Sequence, residues 1–249
     1  MLAFAATLGM TCIRTAVANL IPIDLTRGLA VNSSAYGGVT SVNDSRQDSV
    51  NDGADFSPFS LSLPSSSADG TAVGEATSFL SYTIGSAVVS ASGNGESSAM
   101  VSNPSIDEAT GFSDSLFLLH FTVDVATSFR LSGSITATGV VGPAAYGETI
   151  QLSDSTGNIA DLFETYNVQS FDITGTFLPG ETYSLFADVG GVAHAGTSYP
   201  GPDVFQTAVT SLFQFELSTE PSEQSVPDTG SSLALLSLAL ICLGSLKRS

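Results

Sequence analysis

Basic residues are nearly missing from this sequence. Of 249 residues only 6 are Lys or Arg, against 24 Asp and Glu. Three of the six lie near the ends, as Arg14, Lys247 and Arg248, so the long stretch between keeps Arg27, Arg46 and Arg130 and no Lys at all. Such a surface repels a phosphate backbone, which excludes nucleic acid as a partner. The acidity keeps an exported protein dispersed; its sharper alternative is attraction to divalent cations. Cysteine is equally scarce. Cys12 and Cys242 both fall in apolar terminal segments, so the body has no thiol and no disulfide. A Cys nucleophile and a thiolate zinc site are thereby excluded for the body. Trp is absent and Tyr occurs 6 times, which leaves little for an aromatic sugar-binding platform.

Charged residues make up only 12 %, about half the usual share of a soluble domain. Ser, Thr, Gly and Ala fill the gap, while 43 % hydrophobic residues still allow a packed core. This mixture favours strands joined by turns over long exposed helices.

Residues 19–75 are polar and are expected to be partly loop-like. Within them Asp44, Asp48, Asp52 and Asp55 fall inside twelve residues. The cluster offers oxygens for Ca²⁺ but misses the spacing of a calcium loop, and a solvated loop is the simpler reading. From residue 76 to 217 short strands recur: 76–84, 87–91, 115–125, 128–138, 148–152, 170–177, 182–189 and 207–217. The stretch 115–125 is apolar enough to be central. Ser92-Gly93-Asn94-Gly95, Asp154-Ser155-Thr156-Gly157 and Leu178-Pro179-Gly180-Glu181 read as turns. The fold class is therefore all-β, an antiparallel β-sandwich. Residues 218–225 form a polar linker.

Chemistry is hard to find. There is no phosphate-cradling glycine loop, no H-E-x-x-H and no G-x-S-x-G. His120 falls in the strongest strand and reads as a packed or edge residue. His194 follows Gly190-Gly191 and reads as a loop residue. Adjacent acids such as Asp107-Glu108 and Asp161 to Glu164 are expected by chance in so acidic a chain. Tyr146, Tyr166, Tyr183 and Tyr199 are the candidates for a sugar-binding face, although as core or rim residues of a sandwich they need no ligand. No catalytic residue and no metal ligand is assigned, and no cofactor beyond the open alternative of Ca²⁺. The protein reads as non-enzymatic.

The two ends carry the address. Residues 1–18 read as a secretory signal peptide, with Ala16-Val17-Ala18 as an A-x-A cleavage pattern before Asn19. Arg14 interrupts the apolar run and no basic residue precedes it. At the other end Val226-Pro227-Asp228-Thr229-Gly230 precedes an apolar run over residues 233–246, which Lys247 and Arg248 close. As a helix that run spans roughly 24 Å, short against a hydrocarbon core of about 30 Å. The basic tail stays on the cytoplasmic side, so the body lies outside. Pro227 fixes its own φ and holds Val226 extended, while Gly230 lets the chain fit closely against an enzyme.

Motif, apolar helix and basic tail together resemble the PEP-CTERM class of sorting domains, in the variant where Val-Pro-Asp-Ser-Gly or Val-Pro-Asp-Thr-Gly replaces Pro-Glu-Pro. The resemblance covers residues 226–249. It implies that Val226 to Gly230 are recognised by exosortase, a membrane-embedded cysteine transpeptidase-like enzyme of bacteria that make exopolysaccharide. It also implies transient anchoring in the inner membrane through 233–246, followed by a cell-surface or extracellular destination. The pentapeptide is also similar to the Leu-Pro-x-Thr-Gly signal of sortase substrates, with Val226 in place of Leu. The order of strands and turns is similar to the jelly-roll-like ectodomains of the same sorting class. Three functions stay open for the body: a structural surface or matrix protein, a polysaccharide- or Ca²⁺-binding module, and a glycan hydrolase.

Overall fold

Alternation of inward and outward side chains governs nearly every segment of the chain. In β6, Asp107–Val123, odd-numbered residues are buried and even-numbered ones are partly or well exposed without a break, the period-two signature of a strand with one covered face. The computed structural model describes residues 18–38, 40–50, 55–140, 145–164, 168–196 and 205–220. Its strands are β1 (Leu20–Gly37), β2 (Ser41–Val50), β3 (Phe59–Asp69), β4 (Ala72–Ile84), β5 (Val88–Val101), β6, β7 (Thr127–Val140), β8 (Ala145–Asp154), β9 (Gly157–Glu164), β10 (Val168–Phe177), β11 (Tyr183–Ala195) and β12 (Gln206–Glu220). One compact unit spans Ala18–Glu220. Among the described residues no helix is long and apolar enough to cross a membrane; the run 233–246 lies outside them.

The strands form two six-stranded sheets, ordered β2-β1-β6-β11-β8-β9 and β10-β7-β12-β5-β4-β3. Every pairing is antiparallel. The sheets face each other and enclose one core, so the protein is an all-β sandwich of two antiparallel sheets. β6 is central, as its apolar run requires, held between β1 and β11.

Along the strand direction the interior changes character. At one end Phe117, Phe121, Phe177, Phe213 and Phe215 are fully buried with Leu119, Leu131 and Ile150. Phe129 stacks on Phe177 at 4.2 Å between centroids, and Phe121 meets Phe177 edge-on at 5.3 Å. Each such ring contributes about 1.5–3 kcal/mol by leaving water. At the other end the inward apolar residues are Val101 and the alanines Ala35, Ala72, Ala99, Ala109, Ala193 and Ala195, with buried Ser33, Ser67, Ser78, Ser97, Ser113 and Ser211.

With so little between them, the sheets touch there. A Cβ built on Gly111 would overlap the backbone oxygen of Glu75 in the facing sheet, and one on Gly74 would overlap those of Thr110 and Ser34. Side-chain hydroxyls bridge the gap. Ser97 Oγ donates to the Gly191 carbonyl at 2.9 Å and, its single proton so used, accepts from Ser113 Oγ at 2.9 Å. Ser115 Oγ donates to the Phe79 carbonyl at 2.8 Å, Thr207 Oγ1 to the His194 carbonyl at 2.6 Å, and Ser78 Oγ to the Asp114 carbonyl. Ser33 Oγ bonds Ser65 and Ser67 of the facing β3 at 2.8 and 3.0 Å. A buried hydroxyl without a partner would cost about 1–3 kcal/mol, so these bonds are what make a serine-rich interior tolerable.

Several expectations are revised by this architecture. Residues 19–75 contribute three whole strands and the start of β4, with β1 beside the central β6 over seventeen paired positions from Leu20 to Gly37. Their inward residues include Ser33, Ser65 and Ser67, which carry no hydropathy signal. Asp44 lies in the edge strand β2 and pairs in register with Ser33. Ser92-Gly93-Asn94-Gly95 is no turn but the middle of β5, where Gly93 makes room for the Phe213 ring. His194 lies in β11 and is only 7 % exposed. The other two turns are present. Asp154 accepts from the Thr156 and Gly157 N–H groups at 2.7 and 3.2 Å, and Gly180 takes a φ of 86°, which a side chain would resist.

The contact between sheets makes a direct prediction. Gly111→Ala should lower stability by more than about 3 kcal/mol, because the obstructing atoms are backbone. Gly28→Ala is its control, since the nearest atom to an added Cβ is Leu116 Cβ at 3.9 Å; it should change stability by less than about 0.5 kcal/mol. Urea titration of both variants measures the contrast.

Candidate functional site

The residues singled out at the ends, Ala16, Val226, Pro227, Asp228, Thr229, Gly230, Lys247 and Arg248, lie outside the described residues. Ala18 is described; it is buried and begins the compact unit. Of the tyrosines, Tyr183 is a core residue whose phenol accepts from the Leu178 N–H at 2.7 Å and packs on Phe121 and Phe177. It offers no face to a sugar. Tyr166 and Tyr199, and the side chain of Tyr146, lie outside the described residues.

The acidic run does not assemble. Asp44 faces Arg46 at 3.3 Å and accepts from the Ser66 N–H at 3.4 Å. Asp55 accepts from the Ser57 N–H at 3.0 Å; the side chain of Asp48 and all of Asp52 lie outside the described residues. Among the described residues no three His, Cys, Asp or Glu side chains are grouped to hold a metal ion. Asp107 and Glu108, adjacent on a strand, point to opposite faces. Asp107 is buried and accepts from the Asn103 N–H at 3.0 Å, which fixes the turn before β6, while Glu108 lies 3.8 Å from His194 Nε2. His120 stands on the outer face, 3.6 Å from Asp24. The two histidines are thus ten register positions apart on β6, His120 opposite Ser184 and His194 opposite Thr110.

The pair that does assemble is Asp114 with Asp188, seventy-four residues apart in sequence. Antiparallel pairing sets Asp114 opposite Gly190 and Leu116 opposite Asp188. Both carboxyls rise from the outer face of the first sheet and hydrogen-bond each other. Gly190 has no side chain to separate them, and Asp114 Oδ1 lies 3.3 Å from where its Cβ would be. Burial pushes the Asp188 carboxyl up to about 7, with the neighbouring Asp114 charge adding to it. Burial also raises Asp114. At acidic pH the two share a proton. Carboxyls in hydrogen-bond contact leave no room between them for the sugar ring and water that a glycosidase holds between its acids.

The outer face of the second sheet differs. It presents Ser60, Ser62, Thr77, Ser81, Ser90, Ser92, Ser98, Thr210, Gln214, Ser132 and Thr174 across six adjacent strands, positions partly or fully exposed. Two shallow depressions mark it, of about 170 Å³ between Glu75, Glu96, Ser98 and Thr210, and of about 140 Å³ between Ser81, Ser90, Ser92 and Gln214. Both are below the range of roughly 300–1,000 Å³ that encloses a small ligand, so they suit a laid-on chain better than an engulfed molecule. The three arginines of the body are engaged within it. Arg130 grips Asp172 bidentately at 2.7 and 2.8 Å, Arg46 faces Asp44, and Arg27 lies 3.6 Å over the Phe59 ring while donating to the Tyr82 phenol at 2.8 Å.

Comparison with known protein families and with curated proteins gives no match. Among solved structures, a chain from the structure of infectious bursal disease virus Gx strain aligns over 88 % of this chain and 72 % of its own length, at 10 % identity and a TM-score of 0.15; at that score the alignment carries no argument.

The acid pair makes the body sensitive to pH. A carboxyl whose folded value is raised keeps a proton that the unfolded chain has lost. Its stability contribution is therefore complete below about pH 3.9 and falls away as pH climbs to about 7. Asp69, Asp124, Asp154 and Asp172 act oppositely: hydrogen bonds lower them, so their contribution is lost as pH drops below their ordinary range. The two opposing trends place maximum stability near about pH 4. Asp188→Asn should remove a decline on the order of 3 kcal/mol between pH 5 and 8, read from thermal melts across that range.

Proposed function

We propose that this chain is an exported, non-enzymatic surface or extracellular-matrix protein, recognised at its C-terminus by an exosortase-type transpeptidase. The observation that carries the reading is the order at the end of the sequence: Val226-Pro-Asp-Thr-Gly230, apolar run 233–246, then Lys247-Arg248. It follows a body that closes at Glu220 after a polar spacer. The spacer gives the enzyme access to the Val226–Gly230 motif, and the short apolar run holds it at the inner membrane while it is cut. The jelly-roll-like descriptor belongs to the same reading, since consecutive strands from β5 to β8 alternate between the two sheets. Deleting residues 226–249 and fractionating the cells tests it: the shortened protein should be lost from the surface fraction and accumulate as a soluble exported form. Retention at the surface at native levels would contradict it.

A second reading is favoured by one observation. The hydroxyl-lined, shallow outer face of the second sheet matches a neutral polysaccharide laid across the strands, as alternating Ser and Thr side chains meet sugar hydroxyls. Isothermal calorimetry with neutral and acidic exopolysaccharides and with Ca²⁺ separates the options. Heat with a neutral glycan only, lost in Ser92→Tyr, supports binding on that face; heat with Ca²⁺ alone rejects it.

A further inference from the structure

Residue Asn19 immediately precedes the first strand and is joined to Asp124, the residue just after the sixth, by three contacts. Its backbone N lies 2.8 Å from Asp124 Oδ1, its side-chain Nδ2 lies 2.8 Å from Asp124 Oδ2, and its carbonyl accepts from the Asp124 N–H at 3.4 Å. The next residue, Leu20, is buried, pairs with Val123 and donates its N–H to the Ser86 carbonyl at 2.6 Å. Asp124 thus offers both carboxylate oxygens to one residue, and one of them to a main-chain nitrogen. Asp124 is an exposed carboxylate, and no Lys or Arg is paired with it among the described residues.

From this geometry we infer that hydrolysis of the Ala18–Asn19 bond creates a structural group: the new α-ammonium of Asn19 forms an ion pair with Asp124 that closes the β1–β6 end of the sandwich. The inference rests on the exported reading above. The step is ordinary peptide hydrolysis. Water adds across the amide, Ala18 leaves as a carboxylate, and the Asn19 nitrogen gains protons and a positive charge. An amide N–H already held at hydrogen-bond distance becomes a charged donor in the same place, with no movement of the strand required. Such charge-assisted bonds are shorter and roughly twice as strong as neutral ones. Ala18 is buried in the folded chain, so cleavage belongs before folding, when an exported chain is extended. The nearest other titratable side chains on the two strands, Asp24 and His120, face each other farther along.

The pH dependence follows from the sign of the interaction. An amine next to a carboxylate is raised above its free value of about 7.7–8.0. Its contribution is complete below that value and is lost as pH rises through the folded value. The test is made on protein recovered from the periplasm or surface of an exporting host, and on the full chain kept in the cytoplasm. Intact mass should place the exported amino terminus at Asn19. Thermal midpoints of native and Asp124→Asn protein are then compared between pH 6 and 10.5. In the exported form the native protein should melt about 1–3 °C higher at pH 6 than the variant, and the difference should shrink at the alkaline end to that of the cytoplasmic full chain. In the cytoplasmic full chain the difference should not change with pH over that range, because a peptide N–H does not titrate. ¹⁵N chemical shifts of the α-amine give a second readout that does not depend on the variant folding. An exported chain cut elsewhere, or cut at Asn19 with a flat pH profile and an unshifted amine, overturns the ion pair and leaves export standing. A chain that is neither cut nor exported overturns both.

Discussion

Two β-sheets with large side chains between them stand about 10 Å apart. At one end of this body the inward positions hold Gly, Ala and Ser, and the facing backbones come within reach of each other's side chains. Everything at that end depends on that proximity. Hydroxyls of Ser78, Ser97 and Thr207 reach carbonyls of the opposite sheet, and Gly74 and Gly111 lie where any Cβ would strike backbone. The aromatic end is held by shape and by the exclusion of water. The thin end is held by directional bonds, each of which fixes where one sheet sits on the other. A slip by one residue would turn Ser97 outward and bring a charged Glu96 into the gap, so the seam also sets register.

This construction frees the outer faces from stabilising the fold. Hydroxyls and carboxylates dominate one of them, the outer face of the second sheet, with Met100 and Leu212 exposed among them. The first sheet carries the Asp114–Asp188 pair and half-exposed apolar residues such as Leu116 and Phe186. With Arg27, Arg46 and Arg130 all engaged internally, the body presents acids and hydroxyls to its surroundings.

The sequence disclosed the architecture well wherever burial and hydropathy coincide. The apolar run around Phe117 and Phe121 marked the central strand, and Asp154 and Gly180 marked real turns. It disclosed little wherever small polar residues face inward. Ser33, Ser65 and Ser67 made β1 and β3 look like loops, and Gly93 and Gly95 looked like a turn because a glycine in a strand and a glycine in a turn are written alike. The acid pair was illegible for another reason. Asp114 and Asp188 meet only through the β6–β11 register, and no local spacing encodes that. Tyr183 stayed open between core and platform because an amphipathic ring reads equally as either until its hydroxyl finds Leu178.

The account joins a rigid sandwich to an end that is processed and released, and the processing is its central claim. The most direct measurement is the intact mass of the protein recovered from the surface of cells that make it. The account predicts a mature chain whose carboxyl terminus falls at or just before the Val226–Gly230 motif, with the apolar run gone. A mature chain that still ends at Lys247-Arg248-Ser249 would contradict it.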